Sequence, residues 1–166
     1  SYICVNCEEH KIVATAAMGA PEKGTLFYDD DLIYAVTVPG TSGGMVSVAK
    51  STGSQTKNVI IPDAITVDGI TYKVSAISAK AFKNHKKIQK IVIGTNVTSI
   101  GKDAFNGCKK LKNITVRSSK VKSVGKNAIK NIKKNARIYC PKKKLRAYKK
   151  LFNSKSGFKK TMKITK

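Results

Sequence analysis

Two cysteines and a histidine near the start of the chain form the pattern with the clearest chemical potential. Cys4, Cys7 and His10 could supply three ligands to a zinc ion, since proteins hold zinc through thiolate and imidazole groups. A single C-x-x-C lacks the second pair that completes a structural zinc site, and no βαβ pattern surrounds it as in a thioredoxin-like protein. A local disulfide, free thiols, or pairing with another cysteine would also explain the motif. We therefore predict no metal site and no cofactor.

The other reactive groups do not combine into a catalytic pattern. The glycine-rich residues 39–44 are followed by neither the Gly-Lys-Ser/Thr nor the helix of a phosphate-binding loop. The aspartates of residues 29–31 are adjacent and lack the spacing of a calcium loop. His85, Cys108 and Cys140 fall at repeated positions where a structural role is expected. No Cys–His or Ser–His–Asp arrangement can be assembled from exposed positions, and we predict that the protein is not an enzyme.

The repeated positions belong to a pattern that occurs three times between residues 74 and 141. The copies cover residues 74–93, 97–116 and 121–140, and equivalent positions are separated by 23 and then 24 residues. A period of this length, with apolar residues at a fixed phase, is typical of a solenoid. Each unit is too small to bury its own apolar face, so it becomes stable by stacking on its neighbours.

Columns of equivalent residues predict how each copy folds. Two apolar columns alternate with polar or variable positions, as expected for one face of a strand. They comprise Ile91, Ile114 and Ile138, and Ile93, Val116 and Cys140. A small residue followed by a bulky apolar one marks a tight turn and the filling of the interior. These pairs are Ala81 with Phe82, Ala104 with Phe105, and Ala128 with Ile129.

Residues 100–116 read I-G-x-x-A-F-x-G-C-x-x-L-x-x-I-x-V, which resembles the BspA-type leucine-rich repeat of bacterial cell-surface and secreted proteins. The resemblance covers roughly residues 58–152, and the third copy departs from it at Ile129 and Asn135. It implies a leucine-rich-repeat solenoid, mainly β with short helices. It also implies an extracellular or cell-surface bacterial protein that acts by adhesion or recognition.

Segments before the repeats predict a β-hairpin region on the N-terminal side. Apolar residues alternate on both sides of the loop at 39–44, which predicts a hairpin within residues 26–50. Residues 59–61 repeat the strand position and predict a partial repeat. Asp68 and Gly69 lie between two β-rich runs and predict a type I′ turn. We expect this second hairpin to stand out from the array as an insertion.

An amphipathic helix is predicted to cap the C-terminal side of the array. Pro141 suits the first position of a helix, and apolar residues then recur with helical spacing. They are Leu145, Tyr148, Leu151 and Phe152. The alternative for this basic helix is contact with a membrane surface. Residues 153–157 are expected to end the helix, and an edge strand is expected within residues 158–164.

The chain is expected to fold as one domain, residues 1–166, with four parts. Residues 1–25 form an N-terminal segment, and residues 26–73 form the β-hairpin cap and partial repeat. Residues 74–141 form three leucine-rich repeats, and residues 142–166 form the capping helix and strand. No apolar run approaches about 20 residues, so no transmembrane segment is predicted in the sequence.

Positive charge is concentrated in the second half of the chain. Residues 1–68 hold 4 Lys and 8 acidic residues, for a net charge of −4. Residues 69–166 hold 26 Lys, 3 Arg and one acidic residue, for a net charge of +28. Such asymmetry indicates an anionic partner or surface, although lysines on a repeat exterior also maintain solubility.

A pair of lysines recurs in every copy just before the predicted strand. We call these six residues the lysine ladder and predict that they bind polyanions: Lys86, Lys87, Lys109, Lys110, Lys133 and Lys134. At a strand spacing of about 4.8 Å, neighbouring ammonium groups repel by roughly 0.8 kcal/mol in water. Further binding candidates are expected on the outward face of the predicted strands. They are Lys90, Asn113, Thr115, Arg117, Arg137 and Tyr139.

These observations favour a non-catalytic cell-surface or secreted binding or adhesion module. Its expected partner is an extracellular protein, an anionic polysaccharide or a cell-wall polymer. One alternative is a nucleic-acid-binding protein, which the 3 Arg and the scarcity of aromatic residues among the lysines disfavour. The other alternative is a purely structural spacer within a larger surface protein.

Overall fold

The computed structural model of the protein describes residues 2–3, 20–29, 31–41, 43–53 and 56–166. Within these ranges the chain is mostly β-strand, with one short α-helix near its C-terminal end. The strands are β1 (Tyr2–Ile3), β2 (Leu26–Asp29), β3 (Leu32–Val38), β4 (Gly44–Ser51), β5 (Asn58–Ile61), β6 (Ala64–Val67), β7 (Ile70–Ile77), β8 (Lys90–Ile93), β9 (Ser99–Ile100), β10 (Asn113–Val116), β11 (Ser123–Val124), β12 (Arg137–Tyr139) and β13 (Lys163–Thr165). The helix is α1 (Leu145–Leu151). No helix in the described ranges is both long and apolar enough to cross a membrane.

The described strands form two sheets. Sheet 1 has the order β1-β2-β3-β4-β7-β9-β11, with β6 paired to β7. Sheet 2 has the order β13-β12-β10-β8-β5, and each of its neighbouring strands is parallel to the next. Buried side chains from both sheets belong to one hydrophobic core. Each repeat thus contributes a short strand to sheet 1, then a turn, then a strand to sheet 2.

The predicted isoleucine column is confirmed in sheet 2. Ile114 on β10 is in register with Ile91 on β8 and with Ile138 on β12, and all three side chains are fully buried. Val59 on β5 is in register with Ile91, so residues 58–61 occupy the strand position of a partial repeat as predicted. Burial alternates along each strand, because successive side chains of a strand point to opposite faces.

The turns between the two sheets stack in the same register as the strands. The N–H of Phe82 donates to the carbonyl of Ala104, and the N–H of Phe105 donates to that of Ala128, both at 2.8 Å. The rings of Phe82 and Phe105 stack with centroids 5.3 Å apart. Two positions in each turn have positive φ, which favours Asn, Asp and Gly over other residues. The two columns are Lys80, Asp103 and Asn127, and Asn84, Gly107 and Asn131.

The N-terminal region confirms the predicted hairpin and adds a strand to it. β3 and β4 pair in antiparallel fashion around the glycine-rich loop, and β2 pairs with the other side of β3. Asp68 and Gly69 have φ of 48° and 76°, as the predicted type I′ turn requires. The expectation that this second hairpin stands out from the array is wrong. Ile65, Val67, Tyr72 and Val74 are buried, and β7 lies between β4 and β9 in sheet 1, because its alternating apolar face packs into the core.

The C-terminal segment differs from the predicted single helix. Pro141 precedes a 3₁₀ turn at Lys142–Lys144 instead of opening an α-helix, and α1 begins only at Leu145. Lysines are unfavourable at a helix N-terminus, and no side-chain cap is present there. Residues 153–157, expected only to end the helix, form a further turn. The N–H of Ile129 donates to the carbonyl of Ser156 at 2.9 Å, which stacks this turn on the third repeat.

Candidate binding site: a basic edge beside the parallel sheet

The lysine ladder lies in register beside the N-terminal ends of the strands of sheet 2. We call this margin of the sheet the charged edge. In the paired strands Lys90, Asn113 and Arg137 are aligned, and a lysine pair ends three residues before each of these positions. The segments between pair and strand are also joined, since the N–H of Arg137 donates to the carbonyl of Lys112 at 2.8 Å. The predicted positions of the six lysines relative to the strands are therefore confirmed, while their binding role stays a prediction.

A fourth lysine pair continues the array, and the sequence reasoning missed it. β13 pairs with β12 so that Lys163 is aligned with Arg137, and Lys159 and Lys160 precede Lys163 by four and three residues. The turn after the lysine pair is also repeated. The N–H of Met162 donates to the carbonyl of Lys159 at 2.9 Å, and in the third repeat the N–H of Ala136 donates to the carbonyl of Lys133 at 3.0 Å. We call Lys159 and Lys160 the fourth pair.

The signal for the fourth pair was present in the sequence but weak. The step from Lys133 to Lys159 is 26 residues instead of 23 or 24, and the segment between them contains α1 in place of a strand of sheet 1. The Ala–Phe motif is also lost there. Ser156 supplies the small buried residue where the other turns have alanine. A search for the Lys-Lys pair followed by alternating apolar residues would have found this copy.

The ammonium groups of this edge face solvent. All of the ladder and fourth-pair lysines are exposed except Lys87, which is half-buried. The hydrogen bonds described for these lysines are made by their backbone groups. Like charges at strand spacing repel one another, and salt screens that repulsion. An anion that bridges the lysine pairs of neighbouring repeats would reduce this repulsion.

The outer face of sheet 2 borders this edge and is only partly charged. Its first row contains Lys90, Asn113 and Arg137 as predicted, and Lys163 extends it. Its second row contains the predicted Thr115 and Tyr139, both half-buried. Ile60 belongs to the same row and is 66% exposed. Arg117 follows the end of β10 and is exposed, so it lies beyond these rows at the far end of the strand.

His85 joins the N-terminal region to the first repeat. Its Nδ1 accepts hydrogen bonds from the N–H groups of Lys87 and Ile88 at 3.3 and 3.2 Å. Its Nε2 lies 2.6 Å from the carbonyl oxygen of Gly53. Because Nδ1 faces two donors, it is the acceptor, and Nε2 carries the proton that is donated to Gly53. The half-buried ring therefore has a structural role, as predicted from its repeat position.

The described cysteines are buried and poorly suited to nucleophilic chemistry. Burial raises the pKa of the Cys108 thiol to about 11, and its Sγ donates to the carbonyl of Phe82 at 3.0 Å. Burial also raises the pKa of the Cys140 thiol. A raised pKa keeps a thiol protonated at neutral pH, whereas the nucleophile is the thiolate. Cys4, Cys7 and His10, the candidate zinc ligands for which we predict no metal site, lie outside the described residues.

Carboxylates with described contacts are used to hold loops in place. Asp31 accepts a hydrogen bond of 2.6 Å from the hydroxyl of Thr56. Asp63 accepts one of 2.6 Å from the N–H of Thr95, and this bond lowers the pKa of the Asp63 carboxyl. Asp103 occupies a left-handed position in the second turn and accepts from the amide of Asn106. The contacts of Asp31 and Asp63 join loops that are distant in sequence, whereas that of Asp103 lies within one turn, and all three give the carboxylates structural roles.

Comparison with solved structures supports this architecture. A leucine rich cell surface protein of Faecalibacterium prausnitzii superposes with a TM-score of 0.54 at 25% identity, over 69% of this chain. The match covers 32% of that protein, so this chain spans about a third of its length. A leucine-rich repeat protein of Bacteroides capillosus gives a TM-score of 0.59 at 15% identity, over 90% of this chain and 99% of that one. The pneumococcal vaccine antigen PcpA superposes with a TM-score of 0.50 at 17% identity, over 72% of this chain and 42% of that one.

Sequence comparison identifies the family. No curated protein matches this chain with significant similarity. The family model for the BspA type leucine rich repeat region matches residues 75–165, which extends the resemblance seen in the sequence through the fourth pair and β13. Members of this family and the structural neighbours are typically non-catalytic, and they indicate a repeat module that binds other molecules. The chain belongs to the BspA-type leucine-rich repeat family.

Proposed function

We propose that the protein is a non-catalytic binding or adhesion module, presented at a bacterial cell surface or secreted. Its repeats form a short solenoid whose exterior carries the recognition surface. Family membership supports this proposal, as does the likeness to a protein described as a leucine rich cell surface protein. The structural roles of His85, Cys108 and the described carboxylates also support it, because they leave few of the described reactive groups available for catalysis.

The proposed ligand is an anionic polymer, such as a sulfated glycan or a phosphate-containing cell-wall polymer, which binds along the lysine ladder. One observation carries this proposal. The lysine pair persists in the third repeat, where Ile129 replaces the phenylalanine and Asn135 replaces the leucine of the other copies. Solubility alone gives no reason to keep like charges in register, whereas a polymer with regularly spaced charges matches them.

Binding through exposed lysines is expected to be electrostatic and of low selectivity. Ammonium groups are point charges on flexible stems and do not impose the fork geometry of arginine. Polymers of similar charge density should therefore bind with similar affinity, and salt should weaken binding steeply. With duplex DNA as a probe, each neutralised phosphate contributes about −0.9 to the slope of log K against log salt concentration. The six ladder lysines thus contribute about −5 to that slope.

The test compares two variants in which six lysines are replaced by glutamine. The ladder variant changes Lys86, Lys87, Lys109, Lys110, Lys133 and Lys134. The control variant changes six exposed lysines elsewhere: Lys102, Lys122, Lys126, Lys142, Lys143 and Lys144. Both variants have the same net charge, and equal melting temperatures would establish that both are folded. We expect the ladder variant to lose most of its affinity for a sulfated glycan and the control variant to retain most of it. Equal losses would mean that the ladder is ordinary surface charge.

A further inference from the structure

We infer that the ligand is a linear polyanion that runs along the stacking direction, across the strands of sheet 2, and that its site includes the fourth pair. This inference rests on the proposed function and specifies how the ligand lies. Lys159 and Lys160 are exposed and have the same relation to β13 as the ladder lysines have to their own strands. The site therefore contains four lysine pairs, which we call rungs. The three intervals of about 4.8 Å between them extend over roughly 14 Å.

The direction of the ligand follows from where charge continues and where it ends. Along the stacking direction each rung is followed by another, through Lys110, Lys134 and Lys160. Along a strand the charge ends early: after the row of Lys90 comes the uncharged row of Val92. A linear polymer that crosses the strands thus meets two ammonium groups at each step. A polymer that follows a single strand would meet at most three charged groups before it reaches the uncharged row.

The outer row of sheet 2 adds charge beside the same path. Lys90, Arg137 and Lys163 are exposed and aligned across the strands, with Asn113 at the position between them. A polymer chain along the rungs would therefore have positive charge on its sheet side at three of four steps. The geometry does not fit a single small anion, since no described ladder side chain is buried around a pocket that would hold one. A linear polymer with sulfate or phosphodiester groups fits the row.

The test combines polymer length with removal of individual rungs. We would measure binding of sulfated oligosaccharides and of poly(glycerol phosphate) oligomers, each in a series of increasing length. The fourth-pair variant is Lys159→Gln with Lys160→Gln, and its matched control is Lys142→Gln with Lys143→Gln, two exposed lysines of the same C-terminal region. Melting temperatures equal to that of the wild type would show that both double variants are folded.

For long oligomers, the fourth-pair variant should lose several-fold in affinity while the control changes little. The shortest oligomers should bind the fourth-pair variant and its control with equal affinity, because they can occupy the three lysine pairs that the variant retains. With duplex DNA as the probe, four engaged rungs contribute about −7 to the salt slope, and removal of the fourth pair should reduce this to about −5. At equal charge density the two oligomer series should bind with similar affinity, because lysine ammonium groups are point charges; a strong preference for sulfate or for phosphodiester would contradict this low selectivity.

The outcomes separate this inference from the function on which it rests. If no polyanion binds the wild type, or if the ladder variant binds as well as its control, the proposed function is wrong. If the ladder is required but the fourth-pair variant matches its control with long oligomers, the proposed function stands and the four-rung site is overturned. An affinity that stops rising once an oligomer spans two rungs would also overturn the inferred direction.

Discussion

Replacement of Ile114 by alanine tests the register on which the whole array depends. Ile114 is fully buried, and β10 lies between β8 and β12, so the column has a neighbour on both sides. The replacement removes buried methyl and methylene groups and leaves a cavity that parallel strands on both sides cannot easily fill. Such core truncations cost about 2–5 kcal/mol. For a chain of this size that loss corresponds to a decrease in Tm of roughly 4–20 °C.

Thermal unfolding followed by circular dichroism, together with urea denaturation, would measure this loss. The matched control is Thr115→Ala, because Thr115 is the next residue on the same strand and is half-buried on the outer face. We expect the control to remain within about 0.5 kcal/mol of the wild type, the range typical of surface sites. If the Ile114→Ala variant also remained within that range, the assigned inward face of sheet 2 would be wrong.

Three further predictions concern a buried tyrosine and three of the cysteines. Tyr148→Phe should lower the free energy of unfolding by about 1–3 kcal/mol, because the buried hydroxyl of Tyr148 donates to the carbonyl of Ser118 at 2.5 Å. Urea denaturation would measure this loss, and an unchanged midpoint would mean that this bond does not anchor α1. Burial raises the pKa of Cys108 from its ordinary value of 9.0 to about 11, so its contribution to stability is present below the lower of these values and is lost as the pH rises toward the higher one. The wild type should therefore lose more unfolding free energy than Cys108→Ala over that range, and parallel pH profiles would contradict this. The double variant Cys4→Ser, Cys7→Ser should melt like the wild type; stoichiometric zinc in the purified protein together with a collapsed Tm would refute it.

The sequence determined the repeated centre of the fold because the relevant information is local and recurs. Apolar residues at a period of 23 to 24 residues placed Ile91 and Ile114 in one buried column, since each copy must bury the same face against its neighbours. The Asp68–Gly69 turn was also predictable, because positive φ at both central positions is a requirement of the turn itself. The lysine pairs were placed for the same reason as the isoleucines, by their constant distance from the strand.

The tertiary structure alone decided what happens at both ends of the array, where repetition fails. β7 pairs in parallel with β4, and His85 bonds to Gly53; both contacts join segments about 30 residues apart whose spacing carries no periodic signal. The fourth pair was hidden by α1, which replaces a sheet 1 strand and lengthens the step to 26 residues. Lys159 and Lys160 nevertheless align with the ladder, because backbone hydrogen bonds between β12 and β13 fix the register of whatever residues precede them. A repeated sequence therefore specifies its own stacking, whereas a terminal copy takes its register from the strand beside it.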